Sequence, residues 1–408
     1  MQNIIQTLKN YSRIEYINYL ILFYAFSLSF NGQTIRILAA ILILVLLFDK
    51  NSLCVKFNIK TKYLILSFII FIAFCFFSFL WSNATFKDTF DYVRKFWYLL
   101  PIITIYTYLK KDFYYKAILF FLNGMIVSSI LSIGNYFNLW AVGGGHVSNP
   151  AIFTYHTHYS VILASAAIVL IINFFFEKDL KLKIFYFISS TLIITNLLIN
   201  IGRTGQISLF ITLIMLVIYI YRHRVRYIFV SIILMILLII VNYSYNYQFK
   251  TRIDFINYDL KKMKDEKKYD NSLGGRVGFY IVSKEILSDN LKNLMLGVGS
   301  KQNLKASSRI IDTKYPYLFY TKTLAHFHSI YLEIITQYGL IGLFLFLAIF
   351  YNLININIKD EKIKLIYLST ISIYLLSNLV DLSLYKDIPL SIFAFLIGTS
   401  LSITKYES

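Results

Sequence analysis

The sequence predicts an all-α polytopic membrane protein of about 12 transmembrane helices with one large helical loop outside the bilayer, and three observations predict it. Hydrophobic residues make up 58% of the 408 positions and aromatic residues 18%, too apolar for a water-soluble domain of this length. The apolar residues fall in blocks of bilayer-spanning length. Lysine and arginine gather in alternate connecting loops, which is the charge asymmetry of a multi-pass topology.

Runs of roughly 15–22 apolar residues place spans near 16–31, 34–48, 63–81, 96–109, 115–137, 159–176, 183–200, 205–221, 226–243, 331–356, 363–380 and 388–404. The first block has no small-residue cleavage site and is followed at once by a second, so it reads as a retained span. The segment 96–109 is among the shortest, and a tilted or re-entrant course suits it as well. An even count leaves both termini on one side. With the N-terminus inside, the inner segments 1–14, 49–62, 109–116, 177–183, 221–226, 357–364 and the C-terminal tail carry 19 of the 40 Lys+Arg. The short outer loops carry 6, which favours N-in and C-in. The remaining 15 lie in one long outer segment, 244–327, against 8 acidic residues. Within it RVGFYIVSKEILSDNLKNLML, at 276–296, has the pattern of an amphipathic helix. No internal repeat or Pro-rich linker divides the chain, so 1–408 reads as one integrated membrane domain, with 244–327 as its large outer loop.

The net charge of +19 would suggest nucleic acid in a soluble protein, but split across a bilayer it reads as topology, and no nucleic-acid partner is expected. Cys54, in a basic loop, and Cys75, in an apolar segment, have neither disulfide-framework nor metal-site spacing.

Three clusters carry candidate chemistry, and all fall on the outer side. In INIGRTGQISLF, Arg203 stands in a turn between two spans, where an arginine ordinarily has an anionic partner; the plain alternative is contact with lipid headgroups. Gly202 and Gly205 beside it would let a ligand approach the backbone. In NSLGGRVGFY, Arg276 follows Gly274 and Gly275 at a predicted helix start, which suits a phosphate or pyrophosphate. In HFHSIYLEIITQYGLIGLFLFLAIF, His326 and His328 precede an apolar helix that carries Glu333, an ionisable residue inside a predicted span. His156 and His158 in FTYHTHYS repeat the two-residue spacing, but no further ligand stands at a customary metal spacing, and neither metal nor cofactor is expected. Arg94, in FDYVRKFWYLL at an outer span edge, suits either a carrier lipid or ordinary headgroup anchoring.

The run from His328 resembles the signature of the O-antigen ligase and O-antigen polymerase superfamily: histidine, a small polar residue (Ser329), nine residues, Gly339, two residues, Gly342. Arg203 in GRTG looks like the family's arginine after a span, and Arg276, with the amphipathic helix and LMLGVGS after it, looks like the second arginine in the large loop. Ser329 stands where many members have asparagine, and His326 is an additional histidine just upstream.

The ligase branch is the nearest in length and in the form of the histidine motif. The resemblance implies a GT-C-like glycosyltransferase of the bacterial inner membrane with its active site on the periplasmic face. It further implies transfer of a glycan from undecaprenyl diphosphate to a sugar of lipid A core, without metal. Polymerases extend another carrier-linked repeat, and related enzymes glycosylate protein serine or threonine.

The residues themselves support an inverting mechanism. His328 is the general-base candidate, Arg203 and Arg276 hold the diphosphate leaving group, and Glu333, His326 and Arg94 are possible supporting residues. Two readings from other classes compete. A transporter of a lipid-linked glycan would set its polar groups near the midplane in related halves, and a scaffold would use the loop's charge alone.

Overall fold

The computed structural model describes residues 13–49, 57–245 and 247–407; Cys54 and parts of the basic segments 1–14 and 49–62 lie outside them. Among the described residues the chain is helical, with one isolated antiparallel bridge, His146 to Asn149, and no strand. It is an all-α multi-pass membrane protein. Among the described residues, seven helical segments have the length and apolarity to cross a bilayer: Ile59–Leu80, Lys111–Tyr136, His156–Phe176, Leu180–Ile199, Arg203–Ile220, Ile330–Ile354 and Asp387–Tyr406.

In chain order the bundle begins with α1 (Arg13–Ser27), α2 (Gly32–Phe48) and α3 (Ile59–Phe76), followed by the short α4 (Phe86–Val93). The segment expected to span at 96–109 does so in no single helix. It is a 3-10 turn, Arg94–Leu99, and an eight-residue helix, α5 (Pro101–Tyr108), about 12 Å long at 1.5 Å per residue. Pro101 explains the division. It starts a helix readily but cannot continue one, because it lacks the N–H that would bond back into the preceding turn.

Five long helices follow: α6 (Lys111–Tyr136), α7 (His156–Phe176), α8 (Leu180–Ile199), α9 (Arg203–Ile220) and α10 (Val225–Tyr245). Side-chain caps fix several starts: Asn58 accepts from Thr61 N–H at 2.8 Å, and Asp179 from Leu182 N–H at 2.9 Å. The chain then leaves the bundle for a helical cluster: α11 (Tyr247–Glu266), α12 (Ser272–Ser288), α13 (Leu291–Leu296), α14 (Asn303–Lys314) and α15 (Phe319–Thr323). The helix expected over 276–296 is thus two. Asn290 takes an extended conformation, and its side chain accepts from Asn293 N–H at 2.8 Å, starting a new helix. Phe279, Val282, Ile286, Ile311, Leu318 and Phe327 give this cluster a small core of its own.

The chain returns through α16 (Ile330–Ile354), α17 (Glu361–Ser377) and α18 (Asp387–Ile403). α7 and α18 are the most buried of the seven spanning segments, 78% and 94% over their apolar windows.

α16 is broken at Gly339, whose φ of 65° and ψ of −165° only glycine adopts readily. The break strands two helical carbonyls, and the LMLGVGS segment satisfies both: Val298 N–H donates to Thr336 O at 3.0 Å and Gly299 N–H to Gln337 O at 2.8 Å. A Cβ on Gly339 would run into the Met295 carbonyl, and one on Gly297 (φ 71°) into the Gln337 carbonyl. The motif glycine is therefore where an extramembrane segment crosses a membrane helix, backbone on backbone. Gly339→Ala should cost about 1–3 kcal/mol in strain alone, with the clash added. A purified variant with wild-type melting temperature and elution profile would refute this crossing.

Candidate functional site

The site forms where α16 begins. The preceding loop holds its histidines in a tight reversal: His328 has φ of 51°, a left-handed conformation uncommon for a non-glycine residue. Its ring centroid lies 4.2 Å from that of His326, and its N–H donates to His326 Nδ1 at 3.4 Å. Three neighbours impose this shape. Phe327 is buried and stacks on Phe279 of α12 with centroids 4.3 Å apart. Glu333 Oε2 accepts from Phe327 N–H at 3.2 Å, while its Oε1 accepts from Gln337 Nε2 at 2.6 Å. Ile330 N–H donates to Asn378 O at 3.0 Å, which docks the loop after α17 onto the start of α16.

The Phe279–Phe327 stack also delivers Arg276. The two residues are three apart on α12 and share a face, so anchoring Phe279 against the histidine loop aims Arg276 at it. Arg276 and His328 are close enough that the guanidinium depresses the histidine's pKa, and Arg203, the first residue of α9, likewise acts on Arg276. Arg203, Arg276, His326 and His328 thus converge from three parts of the chain. Arg203 is exposed and Arg276 half-buried.

Electrostatics set protonation here. Burial pushes His326 down to about 4, helped by His328 and Lys386, and Asp381 opposes the shift. Burial and then Arg276 hold His328 below the ordinary histidine value, again against Asp381. Both rings are therefore neutral at pH 7. Burial also lowers Arg276, with Asp381 pulling up and Arg203 down; its buried Nε has no hydrogen-bond acceptor among the described residues. A neutral base thus stands beside a desolvated cation with an N–H to spare.

Asp381 was not legible as a site residue. It sits one position beyond the predicted span 363–380, in the loop after α17, buried, with Oδ2 3.3 Å from His158 Nε2. That contact has the distance of an ion pair without the alignment of a hydrogen bond. Burial alone would raise the carboxyl, but His158, the Leu382 N–H and His326 hold it at about 2. The sequence signal was an acid in the otherwise apolar run NLVDLSLY, at a span edge rather than inside a span. His158 belongs to this network as the partner of Asp381. Among the described residues, no three His, Cys, Asp or Glu side chains stand close enough together to hold a metal ion.

Several candidates occupy positions other than the expected ones. Gly202 and Gly205 meet a helix rather than open space, since a Cβ on them would strike His156 O and Ser160 O of α7. The start of α12 is capped by Asn271, which accepts from Gly274 N–H at 2.7 Å and so takes one of the N–H groups of its first turn. Arg94 pairs with Asp91 at 3.2 Å and lines a separate cleft. Gly342 packs against Tyr338 within α16.

Glu333 is fully engaged by protein donors. Glu333→Gln replaces one acceptor oxygen with a donor, so a bond must be lost: the one to Phe327 N–H, the one to Gln337, or, if the Gln337 amide turns to accept, the one Gln337 Oε1 takes from Lys301 N–H. The expected result is a loss of about 1–3 kcal/mol in stability and a fall in kcat with KM nearly kept, measured by melting curves and initial rates. An unchanged kcat would remove Glu333 from the loop's support.

Residues 188–347, 160 of the 408, match the family model described as O-antigen ligase. The matched segment holds Arg203, Arg276, His326, His328, Glu333, Gly339 and Gly342, whereas Arg94, His158 and Asp381 lie outside it. No curated protein matches the chain.

Proposed function

From the O-antigen ligase segment at 188–347, we propose that this protein is a glycosyltransferase that moves a glycan from undecaprenyl diphosphate to a sugar hydroxyl of lipid A core. The single observation that carries the reading is Arg276, a half-buried guanidinium with an unsatisfied Nε–H, near enough to Arg203 and to the neutral His328 for their charges to interact. Such a cation is costly in the empty protein and calls for an anionic ligand.

In the proposed step an acceptor hydroxyl oxygen attacks the anomeric carbon of the donor sugar. His328 takes the hydroxyl proton as the new C–O bond forms. The bond from the anomeric carbon to the diphosphate oxygen breaks, and its electron pair leaves with the diphosphate, whose growing charge Arg276 and Arg203 neutralise. Attack from the face opposite the leaving group inverts the anomeric configuration. Asp381 balances the positive groups and, through His158, ties the loop after α17 to α7.

In this reading the site end of the bundle faces the periplasm and the basic loops face the cytoplasm of the bacterial inner membrane, N-in and C-in. The broken segment 94–108 counts among about 12 passages of a GT-C-like fold, with 244–327 as the periplasmic loop. Clustering of the ionisable groups at one end of the bundle favours transfer over transport, which needs a site reached from both sides.

The test is transfer by purified protein from a diphosphate-linked glycan, with lipid A core, a second donor molecule or a serine- and threonine-containing protein as acceptor. Glycan on the core, lost in His328→Asn, supports the ligase. Products of doubled repeat length make it a polymerase, and glycosylated protein makes it an O-oligosaccharyltransferase. Glycan translocated across a vesicle membrane with its diphosphate bond intact overturns the reading.

A further inference from the structure

A second concentration of positive charge lies outside the family-matched segment. Arg36 at the start of α2, Arg94 and Lys95 in the 3-10 turn, and Lys386 before α18 line an open cleft of about 630 Å³ with Trp97 and Tyr98. Asp387 is the one carboxylate among its described lining residues, 3.9 Å from Arg36. Asp91, just outside, is shared between Arg94 at 3.2 Å and Lys301 at 2.9 Å. Lys95 is half-buried, with Nζ 4.0 Å from the Tyr385 ring centroid, so it is held rather than swinging in solvent. Even with Asp387 and Asp91 beside them, the four cations keep an excess of positive charge that an anion would offset.

The cleft and the histidine site share a wall. The connection 378–387 supplies Asn378 O to Ile330 N–H, Asp381 to His158, and Tyr385, Lys386 and Asp387 to the cleft. Lys386 is close enough to both His326 and His328 to bear on their charge. The segment 94–108 adds an apolar feature on another of its sides. Because α5 is too short to fill the bilayer, a groove of about 240 Å³ opens between it and α3, lined by Leu64, Phe68, Ile72, Leu99, Ile103 and Tyr106. A basic cleft and an apolar groove built on the same segment suit an anionic lipid better than a soluble anion.

We propose that the cleft of Arg36, Arg94, Lys95 and Lys386, which does not include Arg203 or Arg276, binds the phosphate-bearing headgroup of the lipid acceptor. The inference rests on the transfer reading above, since two lipid-borne substrates must meet at one base. It assigns each its own cationic site: Arg203 and Arg276 for the leaving diphosphate, the cleft for the acceptor.

The test uses full-length protein in phosphatidylcholine nanodiscs. The probes are lipid A core with its phosphates, the same molecule after phosphatase treatment, and an undecaprenyl diphosphate-linked donor. R36Q/R94Q/K95Q is compared with wild type and with K292Q/K305Q/K314Q, which removes equal charge from the loop helices. In the cleft variant the KM for phosphorylated core is expected to rise about tenfold, with kcat and donor KM within about twofold. The preference for phosphorylated over dephosphorylated core should vanish with it. Binding of the core lipid to the inactive His328→Asn protein, read by native mass spectrometry, reports on the cleft without turnover. Binding that depends on the cleft in a wild-type protein that transfers nothing would defeat the transfer reading, and with it the assignment of this lipid as acceptor. A rise in donor KM instead, an equal effect in the control variant, no change at all, or competition by phosphatidylglycerol or free phosphate as strong as by core lipid overturns the proposal.

Discussion

His328→Asn is expected to reduce kcat by about 10²–10⁴, the contribution of a positioned general base, while leaving the fold intact. Asparagine is the informative replacement. His328 sits at φ of 51°, and asparagine is among the few residues that accept that region, whereas alanine would add strain and confuse the result. The pH profile supplies a second readout. The base acts in its neutral form, so activity is full above its pKa and falls as pH drops through it. Burial and Arg276 hold His328 below 6.5, which places the acid limb of kcat/KM below that of a free imidazole. Asp381→Asn removes the group that opposes those shifts, so the limb should move to still lower pH. If His326→Asn abolished activity and His328→Asn spared it, with a limb near pH 4, the base would be His326.

The part of this site that was legible in the sequence is the part carried by local pattern. Arg203, Arg276 and His328 each stand at the start of a helix or just before one, and spacing, loop side and a family resemblance singled them out. Apolar runs of spanning length anticipate the seven segments that are long and apolar enough to cross a bilayer among the described residues, because within a bilayer a helix must satisfy its own backbone. What escaped depends on contacts between distant segments. Asp381 looks like an ordinary loop acid until α7 brings His158 against it. Gly202 and Gly205 look like ligand cradles until α9 is seen crossing α7. The division of 94–108 falls at Pro101, which a reading by span length alone passes over. Glu333 is conspicuous in the sequence because an acid in an apolar helix is rare, yet the Phe327 N–H it accepts from cannot be read from sequence, since that bond needs the left-handed turn at His328.

Arg276→Ala should separate stability from activity. In the ligand-free protein the guanidinium is half-buried, its Nε has no acceptor among the described residues, and Arg203 repels it. Removing a charge of that kind relieves a cost, so the melting temperature of the empty protein is expected to hold or rise. Activity should move the other way, by about 10²–10³ in kcat/KM, the scale for losing one preorganised donor to a leaving or developing anion. Arg276→Lys keeps the charge but loses the planar fork that spans two phosphate oxygens, and should fall between the two. Ligand linkage sharpens the comparison: undecaprenyl diphosphate at about 100 times its Kd stabilises a binding-competent fold by about 2.7 kcal/mol. That rise should appear in wild type and be lost in Arg276→Ala. A variant that melts well below wild type and loses activity in proportion would make Arg276 a structural residue of α12, and the diphosphate would need another holder. A variant that melts at or above wild type, binds no carrier and transfers nothing identifies a cation whose cost in the empty protein is offset only by its substrate.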